Sequence, residues 1–205
     1  MPDRYQVTES PAEGSSVGPP DPKRRFDEIY TAHYPDLLAY VRRRTGSPDD
    51  AADALAETFA TAWRRLDDVP GGHDARLWLY GVARRVLANG RRAETRRTEL
   101  AVRLRAELTA WDGHSGGARS TVEDDPGGVR AAFMRLSPDD RELLSLVSWE
   151  GLDHEEIATV MGCSRGAVRL RLHRARKRLA GELDSAGLDL ARYGSRAVAL
   201  VKREA

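Results

Sequence analysis

Residues 153–181 read DHEEIATVMGCSRGAVRLRLHRARKRLAG, and the spacing predicts two helices joined by a tight turn. Asp153 is placed to cap the first helix, and Glu156 follows three residues later to close a capping box. Ile157, Val160 and Met161 give that helix one apolar face, and Gly162 supplies the backbone freedom that ends it. Ser164 caps a second helix, whose apolar positions Val168, Leu172, Ala175 and Leu179 follow helical spacing. Between them fall Arg165, Arg169, Arg171, Arg174, Arg176, Lys177 and Arg178, and no acid occurs from position 157 to 181. A helix-turn-helix with a basic second helix sets that helix in the DNA major groove, its first residues at base edges. Basic amphipathic helices also face solvent or bind RNA or acidic proteins. The capped first helix, the glycine turn and the capped basic second helix together favour DNA reading.

Working outward, residues 129–136 and a helix opened by Ser137-Pro138-Asp139-Asp140 complete a unit over residues 129–184. The opened helix buries Leu143, Leu144 and Val147 and ends at Gly151. Residues 98–110 either extend the preceding helix or form a separate one. Residues 111–128, with GHSGG and EDDPGG, read as a flexible linker, so the stretch between the two units is 98–128.

The front unit spans residues 23–97. Residues 26–44 form an amphipathic helix with Phe26, Ile29, Tyr30, His33, Tyr34, Leu37, Leu38 and Val41 on one stripe. Arg42, Arg43 and Arg44 close it, favourably placed against the helix dipole. Ser47-Pro48-Asp49-Asp50 starts a second helix that runs to about Leu66. Leu55, Thr58, Phe59, Ala62, Trp63 and Leu66 face inward there. Asp49, Asp50, Asp53 and Glu57 make the other side, either a solvated face or a docking surface for a basic or polar partner. Residues 67–74, DDVPGGHD, are a loop of a kind that often carries function. A third helix over residues 75–97 begins ARLWLYGVARRVLANGRR. It holds more apolar and aromatic residues than one stripe needs, followed by Arg84, Arg85, Arg91, Arg92, Arg96 and Arg97. Most of its aromatics read as core; Trp78 or Tyr80 reads alternatively as a stacking platform for unpaired bases, with the arginines on the phosphates.

Residues 1–22, rich in Pro, Gly, Ser and acids, cannot bury a core and read as a disordered tail. Residues 185–205 allow a weak amphipathic helix, frayed or docked. The fold class expected is therefore all-α, two small helical domains on a flexible linker. The net charge is +1 with 32% charged residues, so the basic signal is local rather than global. Cys163 is the only cysteine, which excludes a disulfide within the chain. At the turn it reads as a small packed residue, with a redox switch as the alternative. The five histidines have no metal-site spacing, and no phosphate loop or nucleophile motif stands out, so no metal, cofactor or enzymatic activity is expected. No apolar run approaches a membrane span and the first 22 residues have no signal-peptide core, so a cytoplasmic location without membrane insertion is expected.

In combination these features resemble the extracytoplasmic-function (ECF, group IV) sigma factors of the sigma-70 family. DDAADALAETFATAWRRL (residues 49–66) looks like region 2.2, ARLWLYGVARRVLANGRR (75–92) like regions 2.3 and 2.4, and LSPDDRELLSLVSWEGLDHEEIATVMGCSRGAVRLRLHRARKRL (136–179) like region 4. The resemblance implies a promoter-specificity subunit of RNA polymerase and not an enzyme. Asp49, Asp50, Asp53 and Glu57 would dock on the clamp helices of the largest subunit of the core polymerase. The loop and third helix would hold the unwound −10 non-template strand through His73, Asp74, Arg76, Trp78, Gly81, Arg84, Arg85, Asn89, Arg91 and Arg92. A flipped base there must recover a few kcal/mol from its pocket. Region 4 would read the −35 duplex of the promoter DNA through Ser164, Arg165, Gly166, Arg169, Arg171, Arg174 and Arg176. An anti-sigma factor, or a compact closed form, would mask the basic faces of the free protein.

The chain departs from the family pattern at named positions. Ala52 and Ala56 stand where the family often has an acid and a glutamine, both on the docking face. Gly81 replaces a frequent arginine, Arg85 an asparagine and Asn89 an aspartate, where −10 specificity is set. Leu170 replaces a serine, which removes a phosphate or base contact. The competing reading is a helix-turn-helix DNA-binding regulator that acts on duplex without polymerase; the basic-aromatic front unit argues against it. A sigma-like decoy is disfavoured by the basic run at 165–178.

Overall fold

The computed structural model describes residues 21–109 and 128–188. The tail at 1–20, the segment 110–127 and the C-terminal stretch 189–205 lie outside the described residues, and with them most of the expected tails and linker. The described chain is helical throughout: α1 Pro22–Arg42, α2 Pro48–Arg64, a 3₁₀ turn Leu66–Asp68, α3 His73–Thr109, α4 Val129–Arg135, α5 Pro138–Ser148, α6 His154–Met161 and α7 Arg165–Ser185.

The starts are set by local chemistry. The side chains of Ser47, Ser137 and Ser164 accept from the backbone N–H three residues on, at 3.0, 3.2 and 3.2 Å. A cap of this kind is worth about 1 kcal/mol. Asp21 caps α1, accepting from the Lys23 N–H, with Pro22 in the first turn. Residues 21–22 therefore belong to the front unit and not to the tail.

Helices α1, α2 and α3 pack around Leu37, Val41, Leu55, Phe59, Leu77 and Leu79. Helices α4 to α7 pack around Leu143, Leu144, Ile157, Leu172 and Leu179. Tyr40, absent from the predicted stripe of α1, is fully buried and stacks on Tyr80 with ring centroids 4.7 Å apart.

Several expectations are corrected. Trp63, predicted to face inward, is 49% exposed and meets the Phe26 ring edge-on. Tyr30, on the predicted stripe, is likewise exposed, because Phe59 and Phe26 cover only part of its ring. The loop expected at 67–74 is shorter, since Leu66–Asp68 forms a 3₁₀ turn and α3 begins at His73. Residues 98–109, assigned to the linker, continue α3. This stretch, TELAVRLRAELT, contains neither Gly nor Pro and consists mostly of good helix formers. The two units do not stand apart: α6 packs on α3 and the buried apolar core runs through both.

Candidate nucleic-acid interface

The helix-turn-helix forms as its sequence dictates. Asp153 accepts from the N–H groups of Glu155 and Glu156 at 2.7 and 2.9 Å, and Glu156 accepts in return from the Asp153 N–H at 2.8 Å. These two backbone donors, Glu156's first, hold the Asp153 carboxyl below its ordinary pKa. Gly162 ends α6 in the left-handed conformation, φ 64°, where a side chain would be strained. Cys163 is half-buried against the core.

Val168, Leu172, Ala175, Leu179 and Leu183 bury one side of α7. Ser164, Arg165, Gly166, Arg169, Arg171 and Arg174 are all exposed. Arg176 is half-buried on the flank of the helix, close to the buried stripe, and does not share the outward face. Arg178 turns back to grip Asp140 with two bonds of 2.7 and 2.8 Å. This pair fixes the far end of α7 to the first turn of α5. Burial works against the Asp140 charge, but the Arg178 and Ser137 hydrogen bonds prevail and hold its carboxyl below the ordinary value.

On the front unit, the residues expected to hold single-stranded DNA all lie on α3, but the structure divides them. Trp78, Arg85, Asn89 and Arg92 remain accessible along one line of the helix. The Arg65 guanidinium stands 5.7 Å from the centre of the Trp78 ring. Arg85 donates to the Gly81 carbonyl at 3.0 Å. Asp74 and Arg91 are also exposed. His73, Gly81 and Arg84 lie instead along the seam with the rear unit. His73 pairs with Glu156, Arg84 reaches Asp139 at 3.4 Å, and Gly81 is buried beneath α6. Arg76 departs further: it points toward α1, 3.8 Å from Asp36. Tyr80 is core, stacked on Tyr40; burial first, then the Glu150 charge, push its hydroxyl pKa up to about 12.

The acidic face of α2 is exposed as expected at Asp49, Asp50, Asp53 and Glu57. Asp50 accepts from the Ser47 hydroxyl at 2.8 Å, and Glu57 pairs with Arg64 at 2.7 Å. A groove of about 720 Å³ runs between α2 and α3, with Asp50, Asp53 and Glu57 on one wall and Arg91 and Arg97 on the other.

One constellation was not anticipated. Just past the end of α1, the Arg44 guanidinium bonds Glu142 of α5 and Glu150 at 2.8 Å each, while Arg43 also pairs with Glu150. The Tyr40 hydroxyl donates to Glu142 at 2.6 Å, and the Arg44 guanidinium lies 3.6 Å over the Tyr40 ring. The side chains of Arg44 and Glu150 are 7% and 2% exposed. Burial is the largest influence on Arg44 and opposes its charge, yet its anionic surroundings outweigh it and the pKa is raised. Burial, then Glu142, push the Tyr40 pKa well above its ordinary value, so its hydroxyl stays a donor. In the sequence, Arg43 and Arg44 read as dipole partners for α1. An acid at 142, beside Leu143, was the one available signal, and it does not name its partner.

The Sigma-70 region 2 family matches residues 29–97, and the Sigma-70, region 4 family matches residues 128–179. The chain belongs to the ECF sigma factors of the sigma-70 family. This sigma factor is 30% identical to the RNA polymerase sigma-H factor of Pseudomonas aeruginosa over 162 residues, covering 76% of this chain and 84% of that one. It is 29% identical to the RNA polymerase sigma factor YlaC of Bacillus subtilis over 156 residues, covering 75% and 89%. Among solved structures it is similar to the sigma factor RpoE of Bartonella quintana, crystallised with the anti-sigma factor NepR, with a TM-score of 0.55 and 25% identity over 78% of this sigma factor and 98% of that chain. These likenesses span both units, which does not favour a regulator that works without polymerase. No helix among the described residues is long and apolar enough to cross a membrane.

Proposed function

We propose that this sigma factor binds core RNA polymerase through the acidic face of α2, reads −35 duplex through the outward face of α7, and holds the opened −10 non-template strand along α3. The observation that carries the reading is the presentation of α7: a capped helix-turn-helix buries one side and leaves Ser164, Arg165, Gly166, Arg169, Arg171 and Arg174 at the surface. Cations in this position neutralise phosphates, and arginines near the helix start reach base edges. On α3, Trp78 offers a π face and Arg85 and Arg92 offer charge, the pairing that single-strand binding requires. The polymerase performs the chemistry; the sigma factor supplies recognition and is not itself an enzyme. Its place of action is the cytoplasm, where polymerase and promoter meet.

The packing of α6 on α3 supports a closed resting form. It buries Gly81 and ties His73 and Arg84 to the rear unit, three of the ten residues of the proposed strand site, while the duplex-reading face of α7 stays open. The Arg44–Glu142–Glu150 cluster suits such a clasp. Buried ion pairs contribute little net stability because desolvation offsets their attraction. Opening rehydrates each charge, so the closed register is specified without being locked. An anti-sigma factor, as in the Bartonella quintana complex, would act by holding this form or by covering the α2 face.

Run-off transcription on genomic DNA tests the reading. Core polymerase with this sigma factor should gain new start sites that core alone lacks. Arg165→Ala and Arg169→Ala should each weaken −35 dependence by about 1–3 kcal/mol. Tight promoter binding without polymerase, and no new start sites with it, would return the chain to the class of conventional regulators.

A further inference from the structure

Leu170 is the one large apolar residue of α7 that the fold leaves exposed, at 51%. Its position on the helix explains its exposure. Val168, Leu172, Ala175 and Leu179 define the buried side, and at about 100° per residue Leu170 points almost directly away from them. Gly166 lies one turn before it on the same line and Arg169, Arg171 and Arg174 flank it, all exposed. A β-carbon on Gly166 would meet no atom within 4 Å, and its φ is not left-handed. The fold therefore does not demand glycine there. Its absence of side chain leaves a shallow step in front of Leu170 through which a base edge can approach.

An isolated leucine at the crest of an arginine-rich helix contributes nothing to the core. It also cannot contact phosphate. In a major groove, one base-pair feature is apolar: the 5-methyl group of thymine, which side chains such as Ala, the Thr methyl or Phe contact directly. Arginines on either side would hold the helix to phosphates and guanines and press the leucine against the groove floor.

We propose that Leu170 is a specificity-determining residue that reads the 5-methyl group of a thymine in the −35 duplex. This rests on the reading of α7 as the −35 helix. The test uses polymerase holoenzyme carrying the full chain, on a promoter mapped by its own run-off products. Each thymine of the −35 element is replaced singly by deoxyuridine, which removes the methyl and nothing else. One replacement should weaken holoenzyme binding about fourfold, the worth of one buried methyl-sized group. Leu170→Ala, whose β-carbon stops short of where the leucine δ-carbons reach in the same helix register, should lower affinity for the unmodified promoter by a similar factor and abolish sensitivity to that replacement. Leu170→Met should retain it. Because Leu170 is outside the core, its circular dichroism melt should be unchanged. If Leu170→Ala is as sensitive as the parent to every replacement, or if the element has no thymine whose methyl matters, the proposal is overturned. Arg169→Ala separates the two levels. Should it leave −35 dependence intact, duplex reading by α7 fails and the role of Leu170 falls with it. Should it impair binding equally on thymine and deoxyuridine templates while Leu170→Ala behaves as the parent, only the methyl contact is lost.

Discussion

A β-carbon built on Gly81 of α3 would stand 3.5 Å from the carbonyl oxygen of Val160 in α6. That is ordinary van der Waals contact, and Gly81 is buried, so a long charged side chain there would press on α6. Gly81 is thus the seat on which the rear unit rests.

Gly81→Ala should therefore leave the closed form intact, whereas Gly81→Arg should wedge α6 from α3. Small-angle scattering of the free protein should show an increased radius of gyration for the arginine variant alone. The same variant should bind single-stranded −10 DNA more tightly than the parent when polymerase is absent. An unchanged radius would mean that the packing of α6 on α3 does not depend on position 81.

The clasp gives a second expectation. Removing Glu150 leaves Arg44 buried with one carboxylate partner instead of two. Breaking a buried pair costs about 3–5 kcal/mol, of which the retained Glu142 contact recovers part. Glu150→Ala should raise the open fraction by at least tenfold, corresponding to about 1.4 kcal/mol. Fluorescence transfer between dyes on exposed sites of α2 and α7 reads this directly. Melting of each unit by separate probes should change less than the transfer signal does.

On the proposed docking face, Asp53 lines the α2–α3 groove, while Glu57 is tied to Arg64. Asp53→Arg reverses a charge without disturbing the core and should lower affinity for core polymerase at least tenfold at low salt. The loss should shrink as salt screens it. Promoter binding by the isolated sigma factor should be unaffected, and equal affinity of parent and variant for core would remove Asp53 from the interface.

Acid should loosen the rear unit in a defined window. The Asp140 carboxyl is held below its ordinary 3.8 in the folded chain. Its stabilising contribution is complete above 3.8 and is lost as pH falls through the lower folded value. Asp140→Asn should remove about 1–2 kcal/mol near neutral pH. The variant should also show a shallower loss of stability than the parent below pH 4, measured by urea unfolding at a series of pH values.

The helix-turn-helix was legible because its determinants are local. The capping box at Asp153 and Glu156, the left-handed turn at Gly162 and the Ser164 cap each involve residues no more than a few positions apart. The apolar stripe of α7 is a periodic pattern, so its buried and exposed sides follow from spacing alone. The acidic face of α2 followed from the same logic. Trp63 was misplaced because helical spacing marks a side of a helix and does not show how far the neighbouring helix extends over it.

By itself, then, the sequence determined where α2, α5, α6 and α7 begin and which face of α7 is basic, since hydrogen-bond caps and 3.6-residue periodicity act within one element. The tertiary structure alone decided which residues of α3 meet the rear unit, why Gly81 suits this chain, and that Tyr40 and Glu142, 102 positions apart, share a hydrogen bond. Contacts of that separation depend on how two packed units meet. A buried charge carries no mark in its own sequence neighbourhood of the partner that compensates its desolvation.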